Sequence, residues 1–590
     1  MSQTEETTLT HHAMLVAWGQ YARCIGLVEA IEAVPLHQKA VDHQPQTKVL
    51  EFLVAILGGF EYLKDITYSE HPLDKDLTVA RAWGQPRWAD HSGVSRTLSS
   101  LTPEEAQALM VATEQISQPL IDKELMLASG AGRVEFDGDL TPRPVSNTSS
   151  TYPGAEYGQM HDQIQLGYQA AIVSMKSPTY GRIGLSAKQY AGNTVSCTQA
   201  EALVIEAERR AGCRPLRRTD LLEKRIADMA LQRVKLEEDV TQARERLKER
   251  QAALKVVQQQ VRDANTKLQE LETDYHQHQI PERPHSKLAK ARKQLDVYQR
   301  RQVRYQLKVD RAEKWLCQRQ ERLNTYQVEI DHLKTRLEHF QQDNAQNINP
   351  ITAVFRLDAG FGTAENIALL IELGYEVYTK PYGNWLSGVL RERAENNDSW
   401  EQVGKNAEMV AWPQVQLDDC PYPLDLACQR FWTGKRHLYS GLLHFGDDDV
   451  VTHLPKWFHD YNARQTIEAG NKELRQVFEV HHLKVRSAPA LQLQEHFALF
   501  AANFVRFASH WLAAQCPQIP DGWRNSSQPM VKQQVKVGAH TSAWVSWIGQ
   551  DCLLRFTDLS VFAGRSFHIR RSWAFQPVLP FLKSYFFSSI

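Results

Sequence analysis

The sequence predicts an α/β protein. A mixed sheet with helices on both faces is interrupted by a long antiparallel coiled-coil hairpin and by a β-rich insertion, and a helical N-terminal region precedes it. Three observations lead there. Apolar residues recur at alternating steps of three and four over residues 226–275 and again over 288–340, the spacing of a coiled-coil seam. Strand-like and helix-like runs alternate on either side of that segment, the order of a mixed sheet. Residues 385–450 are rich in Trp, Pro and Asp, with short strand-like runs between turn residues.

Composition bounds the class. The chain has 590 residues, 42% hydrophobic and 23% charged, which excludes wholesale disorder. That length predicts about three or four folding units. No run approaches the ~18 apolar residues of a membrane helix, and the polar start lacks the pattern of a signal peptide. The 8 Cys are scattered without a Cys-x-x-Cys pair, which argues against a disulfide framework or a zinc ribbon. The expectation is a soluble protein of a reducing compartment, the cytoplasm. The phosphate loop of nucleotide-driven motors and the Gly-x-Ser-x-Gly elbow of serine hydrolases are both missing.

Residues 1–130 read as helical, with helix-compatible spacing over Ala13–Val34 and Val49–Leu63. Thr102 before Pro103-Glu104-Glu105 is a helix start. Gly93–Leu101 reads either as a helix-turn-helix recognition helix, which would turn Ser95 and Arg96 to DNA, or as an ordinary surface helix. Strands are predicted over Val134–Leu140, Ile164–Ser174 and Tyr180–Tyr190, then a helix over Thr198–Ala211. In the coiled coil, Arg233 and Arg250 break the first seam and Gln302 and Arg319 the second, with Pro281 and Pro284 between them. Two arms of nearly equal length around a proline-marked tip predict an antiparallel hairpin, each arm roughly 75 Å long. Beyond it come a strand (Ile351–Leu357), a helix (Thr363–Leu373) and a strand (Tyr375–Lys380). Helical spacing runs from Trp457 to Leu512, and a β-rich tail from Val531 to Ile569. The segments are 1–130, 131–216, 217–345 (the coiled coil), 346–384, 385–452 (the β-rich insertion), 453–515 and 516–590.

Three acidic sites carry candidate chemistry. Asp137 and Asp139 lie two apart on one face of a strand flanked by Val134, Phe136 and Leu140, where carboxylates are costly unless paired or bound to a cation. Asp358 follows Arg356 at the end of an apolar strand, before Gly360 and Phe361, and functional groups in α/β sheets collect at strand ends. Tyr461, Arg464, Glu468, Lys472 and Arg475 share one helical stripe, a carboxylate among cations and a phenol. Two strand-borne Asp sites and a helix-borne Glu suit a two-metal phosphoryl-transfer site. The bland alternatives are a turn-forming Asp and a solvated, ion-paired helix face. His161-Asp162 and His481-His482 lack metal-ligand partners at helical spacing, and core or surface roles are expected for them.

The order Asp137-x-Asp139-x-Thr141, Arg356-x-Asp358-x-Gly360-Phe361 and Tyr461-x2-Arg464-x3-Glu468 resembles bacterial insertion-sequence transposases of the DDE type, in the branch marked by a Tyr-Arg-Glu-Lys signature. Arg475 stands where that signature ends in Lys, which keeps the charge. Lys472 offers a second cation on the same stripe. The resemblance covers roughly residues 90–510 without the coiled coil. It implies an RNase H-like catalytic fold, Mg2+ (or Mn2+) dependence, and cleavage and joining of double-stranded DNA at transposon ends and target. It implies Asp358 and Glu468 as metal ligands, with Asp139 or Asp137 as the first. Tyr461, Arg464, Lys472, Arg475 and Arg356 would serve the DNA. Two ends to join imply a homodimer. The alternatives left open are a metal-dependent nuclease without strand transfer and a catalytically silent, transposase-derived DNA-binding or scaffold protein.

Net charge alone does not decide for or against nucleic acid. The whole chain carries −1. Residues 217–343 hold 28 Lys and Arg against 21 Asp and Glu, a net +7, so the rest carries −8. The excess sits in the second arm, where residues 283–322 have 13 basic and 4 acidic residues. That arm either touches DNA or a partner subunit, or is a solvated coiled-coil surface.

Overall fold

The computed structural model describes residues 6–147, 152–160, 163–396, 400–417, 419–482, 485–515, 531–557 and 566–571. The pair His161-Asp162 and residues 558–565 of the predicted β-rich tail lie outside the described residues. The chain forms two compact units, residues 1–216 with 347–590, and residues 217–346. The second coincides, to within a residue, with the predicted insertion.

The N-terminal region is helical after a short strand, β1 (Thr7–Thr10). Its helices are α1 (Ala13–Cys24), α2 (Leu27–Glu32), α3 (Pro45–Leu57), α4 (Asp65–Tyr68), α5 (Leu77–Ala82), α6 (His91–Ser99) and α7 (Pro103–Gly130). The predicted helix Ala13–Val34 is two helices because Gly26 adopts φ 75°, a conformation that favours glycine. The start predicted at Thr102 is a full capping box: its hydroxyl accepts the Glu105 N–H, and the Glu105 carboxylate accepts the Thr102 N–H. A three-strand antiparallel meander follows, β2 (Val134–Pro144), β4 (Gln163–Ser177) and β5 (Gly181–Ala191). The short β3 (Glu156–Met160) pairs with the start of β4. Helix α8 (Ala200–Ala211) leads to the hairpin.

The hairpin consists of α9 (Thr219–Gln277) and α10 (Lys287–Gln346), of 59 and 60 residues. At ~1.5 Å per residue each arm is about 90 Å long, longer than predicted because the helices run past both ends of the apolar seam. Antiparallel pairing is direct: Arg217 bonds Asp343, Arg225 bonds Glu329, and Arg292 near the tip bonds Glu272. Residues that break the seam cross-link it. Arg233 donates to the Gln327 amide (2.7 Å), Arg250 to the Lys308 carbonyl (3.2 Å), and Arg319 pairs with Asp239 (2.8 Å). Val297, Val303, Leu307 and Trp315 of the basic arm are exposed.

After the hairpin come β6 (Ala353–Arg356), α11 (Ala364–Glu372), β7 (Glu376–Thr379), α12 (Trp385–Glu395), β8 (Glu401–Gly404), β9 (Ala407–Val415), β10 (Leu424–Trp432) and β11 (His437–Phe445). β2, β6 and β7 are parallel neighbours, and β11 pairs antiparallel with β7. The predicted insertion 385–452 is thus not set apart. It opens with a helix, and its strands continue the main sheet in the order β3-β4-β2-β6-β7-β11-β10-β9-β8, with β5 on β4. The helical stretch beyond is α13 (Leu454–Asn462), α14 (Gln465–Gln476) and α15 (Ala488–Gln515). Phe136 and Phe355 stack and the Tyr375 ring meets both edge-on, filling one side of the central strands. Val354, Tyr378, Met409, Leu442 and Trp457 pack together beneath α13. α15 is clamped to the meander by a buried Arg143–Glu495 pair and by Asn503, which bonds both backbone groups of Gly184. Strands β12 (Ala543–Ile548), β13 (Asp551–Phe556) and β14 (Ser566–Ile569) form a second small sheet with β1. The sequence gives no periodic signal for a strand as short as β1. Among the described residues no helix is long and apolar enough to cross a membrane.

The chain returns from the hairpin close to where it left the first unit. Asn347 and the Ile351 N–H both donate to the Arg214 carbonyl (2.9 and 3.2 Å). Replacing residues 217–346 by a short flexible linker should therefore leave the first unit folded, with its melting temperature within about 5 °C of the full chain. Loss of cooperative melting in that variant would contradict the division into two units.

Candidate active site

The register of two parallel strands assembles the site. Asp137 on β2 lies opposite Arg356 on β6. Two residues further along each strand, Asp139, still within β2, and Asp358, just past the end of β6, therefore emerge side by side. Asp358 sits where β6 turns: its Oδ1 accepts the Gly360 N–H (2.9 Å), and its carbonyl accepts the Thr379 hydroxyl (3.2 Å). Glu468 comes in from α14, whose inner face buries Ile467, Asn471 and Leu474. That helix lies close because position 470 is glycine. A Cβ there would fall 1.2 Å from a nitrogen of the Arg182 guanidinium.

Asp137 and Asp139 have different surroundings. Asp137 is fully buried, and Arg356, 2% exposed, grips both of its oxygens, Nε on Oδ1 (2.7 Å) and Nη2 on Oδ2 (3.0 Å). Arg356 Nη1 also reaches Glu135 (2.8 Å) and the Asp460 carbonyl at the end of α13 (2.9 Å). Burial presses the Asp137 carboxyl upward and Arg356 opposes it; the bidentate geometry is that of an ion pair. Asp137, a candidate metal ligand in the sequence, and Arg356, a candidate DNA contact, thus consume each other below the surface.

Asp139, Asp358 and Glu468 instead meet one cation, Arg464. Its Nη2 lies 3.0 Å from Asp139 Oδ1 and 4.0 Å from Asp358 Oδ2, and its Nη1 lies 3.2 Å from Glu468 Oε1. Asn471 donates to the second Asp139 oxygen (2.6 Å). Burial pushes the Asp139 carboxyl up to about 6, and the Asp358 and Glu468 carboxylates add to this against Arg464. Arg464 is raised above its ordinary value: burial disfavours its charge, but the carboxylates and Tyr461 outweigh that. Lys380, at the end of β7, lies 5.5 Å from the centroid of the buried Tyr461 ring. Its pKa is lowered by burial and by Arg464.

The predicted single stripe 461–475 bends. Tyr461 ends α13, Arg464 is the residue before α14, and Glu468, Lys472 and Arg475 follow along α14's exposed face. The break turns Tyr461 and Arg464 inward and leaves Lys472 and Arg475 in solvent. Arg96 is exposed and Ser95 half-buried on α6, which Asp90 caps. Lys380 and Asn471 join the group without having been singled out. Lys380 could have been found by the strand-end rule that picked Asp358; Asn471 is visible only once the inner face of α14 is known.

The donor set, three carboxylates, is the oxygen chemistry that hard divalent cations take. Three negative groups share Arg464 and the more distant Lys380, and Asn471 Oδ1 and Arg464 Nε are buried without hydrogen-bond partners. The group fits a further cation in charge and ligand type. The three carboxylates face the guanidinium rather than each other. Among the described residues, the ligand-type side chains gathered within 4.8 Å of one another are Glu479, His481 and His482. No protein-family model matches the chain, and no curated protein matches it.

Asp139 has its folded pKa, about 6, above the ordinary 3.8. The stability this difference supplies is present below the unfolded value and is lost as pH rises through the folded one. On going from about pH 4 to about pH 7 without divalent cations, the wild type should lose melting temperature relative to Asp139→Asn. A difference that stays constant over that window would contradict the shift.

Proposed function

We propose that this chain is a DDE-type DNA transposase, a polynucleotidyl transferase that cleaves and joins strands at transposon ends. The convergence of Asp139, Asp358 and Glu468 from two adjacent strand ends and a helix onto Arg464 carries this reading. The mixed core supports an RNase H-like assignment. A three-strand antiparallel meander is followed by two strands parallel to its first, and Asp139 on that first strand lies beside Asp358, just past the end of β6.

Asp139, Asp358 and Glu468 are the residues that would hold Mg2+ or Mn2+. Bound there, the metal supplies activation of the attacking oxygen and charge stabilisation at phosphorus. Asp137 does not belong to that set, because Arg356 occupies both of its oxygens. Arg464 keeps the carboxylates oriented toward one point and compensates part of their charge. Lys380 brings a second cation beside the strand ends. Lys472 and Arg475, solvated on the same helix as Glu468, are placed to bind backbone phosphates, and a bidentate grip is open to Arg475. Helix α6, with Ser95 and Arg96, is the proposed contact to the end sequence. Joining two ends calls for two copies of the chain.

The test is a labelled duplex carrying the DNA that flanks the coding region, with Mg2+. Cleavage followed by strand transfer is expected. Asp139→Ala, Asp358→Ala and Glu468→Ala should each lower cleavage by at least about a thousandfold, several kcal/mol of transition-state stabilisation, with folding intact. Cleavage by Glu468→Ala at the wild-type rate would sink the assignment. Cleavage without joining would make the chain a nuclease, and binding without cleavage a scaffold.

A separate measurement concerns the phosphate contacts. Lys472→Ala and Arg475→Ala should weaken binding uniformly across DNA sequences, and each should reduce the slope of log affinity against log salt by about 1. A loss confined to one sequence would mean base reading instead.

A further inference from the structure

The turn that ends α14 gathers a second set of ligand-type side chains. Glu479, His481 and His482 each offer an atom within 4.8 Å of the others. Glu479 Oε2 lies 3.6 Å from His481 Nδ1 and 3.1 Å from His482 Nδ1. Neither Nδ1 makes a hydrogen bond, and both are buried. Ligands about 2.0–2.1 Å from a tetrahedral Zn2+ stand roughly 3.3 Å from one another, so this spacing is that of ligand edges around one ion.

The outer contacts match those of metal-bound histidines, whose far ring nitrogen is held by a carboxylate or a backbone carbonyl. His482 Nε2 lies 3.1 Å from Glu61 Oε1, in the loop after α3. The other Glu479 oxygen takes the Lys536 ammonium (2.5 Å), which also donates to the Gly59 carbonyl (3.1 Å). Lys536 thus neutralises Glu479 from the side away from the imidazoles. Glu479 itself sits at φ 53°, left-handed backbone that a non-glycine residue keeps only where the surroundings hold it. Two imidazoles and a carboxylate select a borderline ion of the zinc class over Mg2+, which prefers oxygen throughout.

We propose that Glu479, His481 and His482 bind one Zn2+-class ion that ties the end of α14 to the loop after α3, with Glu61 orienting His482. The site is distinct from the carboxylates around Arg464 and does not depend on the proposed reaction. Three protein ligands leave one position for water or a further group.

The full-length, metal-stripped chain is titrated with Zn2+ against a chromophoric chelator, and with Co2+ as a spectroscopic probe. One Zn2+ per chain is expected, lost in His481→Ala and in His482→Ala and kept in the Asp139→Asn, Glu468→Gln double variant. Glu61→Gln should keep the stoichiometry and weaken affinity about 10–100-fold. The Co2+ spectrum should show intense visible bands of tetrahedral nitrogen and oxygen ligation without thiolate charge transfer. The proposal is overturned if the wild type takes up no Zn2+, if both His variants bind as the wild type does, or if the spectrum reports cysteine ligation. Should the His variants fail to fold, the wild-type titration and spectrum decide.

Discussion

The Arg356 guanidinium is the constraint on which the rest of the first unit depends. It is a buried cation with four contacts on two other elements: both oxygens of Asp137 and one of Glu135 on β2, and the last turn of α13 through the Asp460 carbonyl, while its own backbone belongs to β6. Such a group has no neutral alternative, since arginine does not give up its proton. Removing either partner strands a buried charge at a cost of about 3–5 kcal/mol. Replacing both by apolar residues of similar size would cost far less. The pair is thus a weak source of net stability and a stronger source of registry: a one-residue slip of β6 against β2 would put Arg356 opposite Phe136 or Gly138.

That registry produces the site. With Asp137 fixed opposite Arg356, the two-residue period of a strand places Asp139 and Asp358 next to each other just beyond the last paired residues of β2 and β6. The same arginine, holding the end of α13, fixes where the chain turns into α14. Arg464 is then delivered at the corner between the two helices, in front of both strand ends. Asp139 is raised to about 6 because burial and neighbouring carboxylates outweigh one guanidinium. A buried cation beneath the sheet surface and an under-compensated acidic group above it are two consequences of one alignment.

Much of this is legible in the sequence, and the exceptions follow one physical rule. Signals carried by neighbours in the chain survive: the heptad seam, the capping box at Thr102, the strand end before Asp358, the exposed face of Glu468, Lys472 and Arg475. What depends on distant partners does not. Asp137 and Asp139 look equivalent until Arg356, 219 residues away, picks one of them. His481 and His482 look unsupported because their partner Glu61 lies in a loop of the N-terminal region and Glu479 reaches them through a left-handed turn rather than helical spacing. The stripe 461–475 reads as one helix because residues 461–464 carry no proline or glycine, yet α13 ends at Asn462 and α14 starts at Gln465, with Tyr461 and Arg464 buried at the corner. The insertion 385–452 reads as separate because an edge-to-edge strand pairing, β11 on β7, leaves no mark in composition.

The hairpin shows how a long insertion coexists with so exacting an alignment. A crossover between the parallel strands β2 and β6 must bring the chain back beside its start whatever its length. A disordered insertion of this size would return its ends only at an entropic cost, although that cost grows slowly with length. Two helices of 59 and 60 residues wound antiparallel return the chain at no such cost, because every residue is ordered within its own unit. Asn347 and Ile351 then meet the Arg214 carbonyl, and β6 starts from a fixed point. The polar links across the seam serve the same end. In an antiparallel pair with apolar contacts alone, a slip by one heptad costs little. Arg233 on Gln327, Arg250 on the Lys308 carbonyl and Arg319 on Asp239 make each slip leave charged groups unpaired. The insertion is long, but its return point is not negotiable, and the register that positions Asp139 beside Asp358 is therefore insulated from it.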